Sequence, residues 1–383
     1  MSEPARQGMR ADDPKRDQLE ALLRSSADPD GFIPFDRFME VALYGEGVGF
    51  YTRTGSPFGG EGDFYTAAHA SPLFGRTLAE RVKVVGSQVS SPGPFRVVEL
   101  GPGDGVLAEE IVTALASDDR LRRRLEYVLV ERSPSLALRS FERVAAVGDR
   151  FGIPVRAAGS IGADGPFRGV VLANEVLDAQ PVRRLLWEDR GWRELGVRLE
   201  DHRIVRATGP LERVVPPPEL PRNLDTGTVV EVSPMAEAIV RDVADHLVEG
   251  LFLAIDYGME QSELVVAHPS GTLAAVARHR PVPDPMAAPG RTDLSVFVNF
   301  TSVRAAAHAA GLREVSFRHQ AMALADWGLP RLLEEAARSA PSSEAEVRLR
   351  LSAKNLLFGF ERFQVLELAP PLGPRELSDE PVR

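Results

Sequence analysis

Between residues 99 and 105 the chain reads Glu-Leu-Gly-Pro-Gly-Asp-Gly, with Gly101, Gly103 and Gly105 at every second position and Glu99 ahead of them. Residues without a Cβ let a backbone turn sharply and approach a ligand that other side chains would exclude. The run follows an apolar, β-rich FRVVEL (95–100) and precedes VLAEEIVTALA (106–116), whose apolar residues fall at helical spacing. Dinucleotide sites use G-x-G-x-x-G so that a pyrophosphate meets the helix N-terminus. Here the spacing is E-x-G-x-G-x-G, which disfavours a NAD-dependent oxidoreductase. An acid beside the turn suits a cationic ligand, and S-adenosylmethionine (SAM) supplies a sulfonium and an α-amino group.

A second acid extends the site. YVLVE (127–131) reads as the next strand, and Glu131 at its end is placed to accept hydrogen bonds from vicinal ribose hydroxyls, as acids do in dinucleotide folds. Pro102 and Arg132 belong to the same expected cofactor surface. GVVLANEVLD (169–178) reads as a third strand running into a turn, with Asn174, Glu175 and Asp178 at the carboxyl end, where ligands bind in open α/β sheets. Carboxylates there can hold and orient a guanidinium through paired hydrogen bonds, although Asp178 also reads as a cap of the turn before Pro181. Asp63, after Gly59-Gly60-Glu61-Gly62, is a candidate partner of the SAM ammonium or hydroxyls. His69 and His279 are weighed as groups that take a proton from a methyl acceptor, because imidazole titrates near neutrality. Asp256 and Tyr257 end another apolar strand and either face the ligand or shape the turn at Gly258; Glu231 is similar.

The elements that position these residues alternate. Helical spacing recurs in FDRFMEVAL (35–43), through Phe35, Phe38, Met39 and Ala42, and in SPSLALRSFERVA (133–145). TVVEVS (228–233) and LFLAIDYG (251–258) read as later strands separated by a helix. Such alternation implies a Rossmann-like α/β core with a parallel sheet. It carries an N-terminal helical and loop extension, an inserted β-containing segment (about 185–227) and a mostly helical C-terminal addition. Residues 1–90 are expected to form the N-terminal segment with a lid loop, 91–262 the SAM-binding core, and 263–383 the acceptor-side loop and C-terminal region with a frayed tail.

Composition excludes several classes. With 45 basic and 55 acidic residues the formal charge is −10, which opposes a nucleic-acid surface. There is no cysteine, so disulfides, thiolate nucleophiles and cysteine zinc sites are ruled out. Acids and histidines are too dispersed to nominate metal ligands. No run approaches the roughly 20 apolar residues of a membrane span, and the charged N-terminus resembles neither a signal nor a transit peptide. A soluble, cytosolic protein is the expectation.

The ordered motifs FMEVALYGEGVGFY (38–51), GDFYT…SPLFG (62–75), VELGPGDG (98–105), LVERSP (129–134), ANEVLDAQPVRR (173–184), IDYG (255–258) and GTLAAVARHR (271–280) resemble the MidA-type SAM-dependent methyltransferases, a family that includes a mitochondrial protein arginine methyltransferase for complex I assembly. The resemblance covers about residues 35–310 and weakens to 368. It implies that Gly62, Asp63, Phe64, Tyr65 and Thr66 fold over the cofactor, that Glu99, Gly101 and Gly103 line its amino-acid end, and that Glu131 binds its ribose. Asn174 and Glu175 should then sit between the methionine moiety and the acceptor. The chain departs from the family at three places: His69 stands where a glutamate is usual, Val276 where a tyrosine is usual, and Asn299 where an aspartate is usual. The expected activity is methyl transfer from SAM to an N or O nucleophile on a protein, peptide or small molecule, with a homodimer compatible. The competing reading is a SAM-binding assembly or chaperone protein without turnover.

Overall fold

The computed structural model describes residues 14–53, 67–90, 93–189, 191–211, 220 and 224–371. The chain divides into two compact units, one of Met1–Phe64, Asp178–Ala236 and Gly258–Ser302, the other of Tyr65–Leu177, Glu237–Tyr257 and Val303–Arg383.

The second unit is built on a Rossmann-like sheet whose strands run in the order Arg313–His319, Phe363–Ala369, Leu247–Met259, Phe167–Asn174, Phe95–Leu100, Leu125–Val130, Val155–Ala158. The strand pairs from Leu247–Met259 to Val155–Ala158 are parallel; Phe363–Ala369 runs antiparallel to both of its neighbours. Val97, Leu129, Leu172 and Leu253 lie in a core shared with Leu107 and Ile111 of the helix Val106–Leu115. Strands covered on both faces read as continuous apolar runs, which is why FRVVEL was legible as a strand. The helix Pro134–Phe151 starts on a proline at its first turn and stops at Gly152, whose φ of 66° lets its N–H return to the last carbonyls. The chain moves outward from Phe95–Leu100 through two strands, then returns to the other side at Phe167–Asn174. This reversal is a topological switch point, and its carboxyl-end crevice is where such sheets bind ligands.

The first unit is largely antiparallel. Its larger sheet has the order Ile33–Pro34, Gly191–Glu200, Arg183–Glu188, Val229–Val232, with Arg203–Pro210 paired to Gly191–Glu200. Val229–Val232 is a strand, as its sequence indicates, but it pairs antiparallel with Arg183–Glu188 and is not part of the parallel sheet. Strand–helix alternation identifies a strand without identifying its partner. The helix Phe35–Tyr44 buries Phe35, Phe38, Met39 and Ala42, the stripe expected from their spacing. A small three-stranded sheet, Arg280–Pro281, Ala274–Ala277 and Asp293–Ser295, lies in a stretch that reads as loop from its composition.

Candidate cofactor and acceptor site

At the switch point, Gly101 and Gly103 both have φ of 58° and Gly105 has φ of 82°. Residues with a Cβ avoid this left-handed region at a cost of roughly 1–2 kcal/mol each, so three alternating glycines are what the turn requires. It is fixed by the Gly101 N–H donating to the Val130 carbonyl at 2.9 Å and the Gly105 N–H donating to that of Pro102 at 2.9 Å. A Cβ on Gly101 would stand 3.1 Å from Val176 Cγ2, and one on Gly105 would stand 3.0 Å from Ser140 Cα. The turn therefore packs against the residues after Asn174 on one side and against the Pro134–Phe151 helix on the other.

Glu131 is tied into this turn. Its Oε1 accepts the Ser133 N–H at 2.8 Å, and its carboxylate also takes the N–H groups of Gly103 and Arg132. Burial is the largest influence and raises its pKa above the ordinary carboxylate value, against the lowering effect of these donors. Further donors, such as a pair of hydroxyls, would favour its charged form.

Asn174 and Glu175 follow the Phe167–Asn174 strand. Glu175 has φ of 54°, an uncommon conformation for a long side chain. Its Oε1 accepts the Asn174 Nδ2 at 3.2 Å and the Ala67 N–H at 3.3 Å. Gly62, Asp63, Phe64, Tyr65 and Thr66 lie outside the described residues, but Ala67 follows them directly, so Glu175 holds the first described residue after that segment. The Asn174 Oδ1 is buried with no hydrogen-bond partner among the described residues. A buried orphan acceptor at a ligand-binding crevice calls for a donor from elsewhere.

Glu99 lies under the turn, 2% exposed, and accepts the Tyr127 hydroxyl at 2.6 Å. Burial pushes its pKa up to about 7 despite the lowering effect of Tyr127, and the Asp104 charge adds to the rise. The folded state therefore binds this proton more tightly than the unfolded chain. The stabilisation is fully present below the ordinary glutamate pKa and is lost as pH rises through about 7. Glu99→Gln removes that loss: relative to wild type, the variant should gain roughly 1–3 kcal/mol of stability between pH 5 and pH 8. Melting temperatures across that range check this, and an unchanged difference at both ends would contradict it.

His69, on the short helix Ala67–Ala70, places Nε2 3.3 Å from Asp104 Oδ2. Burial opposes the charged form of Asp104, but the hydrogen bond and charge of His69, with Arg143, hold its carboxyl below the ordinary value. Where a glutamate is usual, this chain thus pairs a histidine with the acid of its own glycine turn.

In the first unit, Asp178 is 7% exposed and its carbonyl accepts the Val296 N–H at 3.1 Å. The Tyr51 hydroxyl donates to Asp293 Oδ1 at 2.9 Å, and Tyr44 stacks on Tyr51 with ring centroids 5.5 Å apart and planes inclined by 24°. Burial, then the charges of Asp293, Tyr44 and Asp178, push the Tyr51 pKa well above its ordinary value. Two tyrosines and two carboxylates therefore share one neighbourhood. YGEGVGFY holds Tyr44 and Tyr51 and stood out as a motif, but no role attached to either residue; nothing in the sequence singled out Asp293.

The other two departures have local explanations. Val276 lies opposite Asp293 across paired strands. Asn299 donates its amide to Gln261 Oε1 and accepts the Ser302 N–H at 3.3 Å, capping the helix that begins at Phe300. His279, with φ of 59°, and Arg278, with φ of 50°, form the two-residue turn between Ala274–Ala277 and Arg280–Pro281, and His279 is exposed. Such turns demand positive φ at both positions. Glu231 accepts from Arg184 Nε, the Thr272 N–H and hydroxyl, and the Leu273 N–H, anchoring the start of that hairpin.

The left-handed glycine turn, the acid tied to it and the orphan acceptor at the switch point fit a nucleoside carrying donor groups. The strand order is that of a class I methyltransferase core, and the residues present fit SAM: the turn and Asn174 would hold its amino-acid end and Glu131 its ribose. A family profile for S-adenosyl-L-methionine-dependent methyltransferases matches residues 73–317. The chain belongs to this family, of the MidA type, and is a SAM-dependent methyltransferase. It is 28% identical over 328 residues to the mitochondrial protein arginine methyltransferase NDUFAF7 homolog of Drosophila melanogaster, covering 77% of this chain and 70% of that one. It is 27% identical over 301 residues to the mitochondrial protein arginine methyltransferase NDUFAF7 of Mus musculus, covering 72% of this chain and 66% of the relative. Among solved structures, a Burkholderia thailandensis protein bound to S-adenosyl-homocysteine is 33% identical, with a TM-score of 0.79 and 93% of both chains covered.

These relatives overturn the cytosolic expectation, because both curated proteins are mitochondrial. Absence of cysteine and of a membrane span does not distinguish one aqueous compartment from another. Among the described residues no helix is long and apolar enough to cross a membrane.

Proposed function

We propose that this methyltransferase modifies a guanidinium nitrogen of arginine in a protein. The observation that carries the reading is the neighbourhood of Asp178, Asp293, Tyr44 and Tyr51. A guanidinium is planar, permanently charged and presents five donors, and carboxylates match it with paired hydrogen bonds. The stacked tyrosines supply flat aromatic walls that favour a delocalised cation. The two curated relatives are protein arginine methyltransferases, which supports the same acceptor.

SAM supplies an electrophilic methyl on a sulfonium. In this reading the chain contributes position and charge. Asn174 and Glu175 orient the groups at the reacting end, and a carboxylate takes the proton that the attacking nitrogen loses. His279 and His69 are the secondary candidates for that proton.

Purified protein incubated with methyl-labelled SAM and a cell extract tests the proposal. Label recovered as methylarginine after hydrolysis of the protein fraction is the expected result. Label only in small molecules would overturn the protein acceptor, and label in neither would favour the non-catalytic alternative. Asp293→Asn should raise the KM for the labelled protein fraction roughly tenfold, the cost of about one charge-assisted hydrogen bond. Its affinity for S-adenosylhomocysteine should remain at the wild-type value; a loss there instead would remove Asp293 from the acceptor side.

A further inference from the structure

We infer that Asp256 is a positioning residue that fixes the Glu175 carboxylate by holding the backbone two residues beyond it, at Leu177. The inference rests on the reading of Glu175 as a residue at the methionine end of the cofactor. Glu175 is a non-glycine residue with φ of 54°, and such conformations persist only when their surroundings over-determine them. The surroundings here are two adjacent residues of the Leu247–Met259 strand. The Glu175 N–H donates to the Ile255 carbonyl at 2.9 Å, and the Leu177 N–H donates to Asp256 Oδ2 at 2.9 Å. The chain is thus pinned one residue before and one after Val176, with the strained residue between the strand end and the pin.

Asp256 is itself held. It is 0% exposed, and its Oδ1 accepts the N–H of Tyr257 at 3.0 Å. Burying a carboxylate is costly unless its oxygens are hydrogen-bonded, so a buried acid needs a reason to be retained. The reason is geometric: the N–H of Tyr257 on its own strand and that of Leu177 in the turn after Phe167–Asn174 each need an acceptor oxygen, and an asparagine amide offers only one. A glutamate would carry its oxygens one methylene farther out. Neither the strand pattern of LFLAIDYG nor a turn at Gly258 requires an acid that reaches across to Leu177.

The consequence is functional because Glu175 Oε1 organises both Asn174 and Ala67. Release of Leu177 lets Glu175 relax out of the left-handed region, and its carboxylate then leaves the crevice. A carboxylate facing a sulfonium favours cationic SAM over neutral-sulfur S-adenosylhomocysteine, so the ratio of the two affinities reports its placement. A merely structural residue has no reason to alter that ratio.

Calorimetric titration with SAM and with S-adenosylhomocysteine, on Glu175→Gln, Asp256→Ala, Asp256→Asn and the double variant Asp256→Ala/Glu175→Gln, tests the inference without an acceptor. Glu175→Gln and Asp256→Ala should each reduce the preference for SAM about tenfold, with Asp256→Asn intermediate. The double variant should lie within about threefold of either single change, because both act through one carboxylate. A preference unaltered by Asp256→Ala, or a double variant whose loss equals the product of the two, would overturn the role of Asp256 while leaving Glu175 in the site. If Glu175→Gln itself preserves the preference, the reading of Glu175 fails and the inference falls with it. Should Asp256→Ala not fold, Asp256→Asn and its double variant with Glu175→Gln carry the same comparison.

Discussion

Replacing Gly101 with arginine abolishes binding of S-adenosylhomocysteine, so that calorimetric titration gives no heat of binding, a loss of more than about 100-fold. Two independent effects produce this. Gly101 has φ of 58°, so any Cβ meets left-handed strain, and the Cβ itself would sit 3.1 Å from Val176 Cγ2. The strain costs roughly 1–2 kcal/mol and falls on the turn rather than on the core. The larger effect is occupation. The arginine side chain has to leave the turn toward the crevice or displace Val176, and in the crevice it fills the space that the ligand's amino-acid end needs. Gly101→Ala separates the two effects: it carries the strain without the bulk or the charge and should retain measurable binding. Wild-type affinity in Gly101→Arg would show that the turn does not hold the cofactor.

Glu131→Ala should weaken S-adenosylhomocysteine binding about 100-fold, from two charge-assisted hydrogen bonds worth roughly 1.5–3 kcal/mol each, offset in part by relief of burying the charge. The same change removes the acceptor of the Ser133, Gly103 and Arg132 N–H groups, so the turn also loosens and thermal stability falls. Glu131→Gln keeps the shape and one acceptor oxygen. It should lie between wild type and alanine in affinity and stay near wild type in melting temperature. An alanine variant that loses stability but binds with wild-type affinity would restrict Glu131 to bracing the glycine turn. The measured pH dependence should agree: burial raises the pKa of Glu131, so binding that requires its charged form strengthens as pH rises through the acidic range.

The glycine turn was legible because its geometry is local. Gly101, Gly103 and Gly105 are required by backbone geometry that one turn of chain dictates, and Glu131 directly follows the next strand in sequence. The strands at 95–100, 125–130 and 167–174 announce themselves because a sheet covered on both faces needs unbroken apolar runs. What failed to show in sequence depends on contacts between distant segments. Tyr51 meets Asp293 across 242 positions, and Leu177 meets Asp256 across 79. No spacing rule links such pairs. Asn299, where the family usually has an aspartate, caps a helix through the Ser302 N–H and bonds Gln261, contacts that residue type alone does not announce. His69 reads as a proton acceptor by residue type, and its pairing with Asp104 across 35 positions is a contact that spacing does not announce. The strand Arg313–His319 went unread because a long arginine-rich edge strand, exposed at Arg313, Glu314 and Val315, lacks the apolar run of its neighbours.

We propose that the side-chain-poor bend receives a nucleoside whose sugar is gripped from beside the neighbouring strand. A crystal grown with S-adenosylhomocysteine tests this most directly. The predicted map shows the ribose hydroxyls within hydrogen-bond distance of the Glu131 carboxylate and the amino-acid end against Gly101, Gly103 and Asn174. Ligand density elsewhere, with that crevice empty or filled by the protein's own chain, would contradict it.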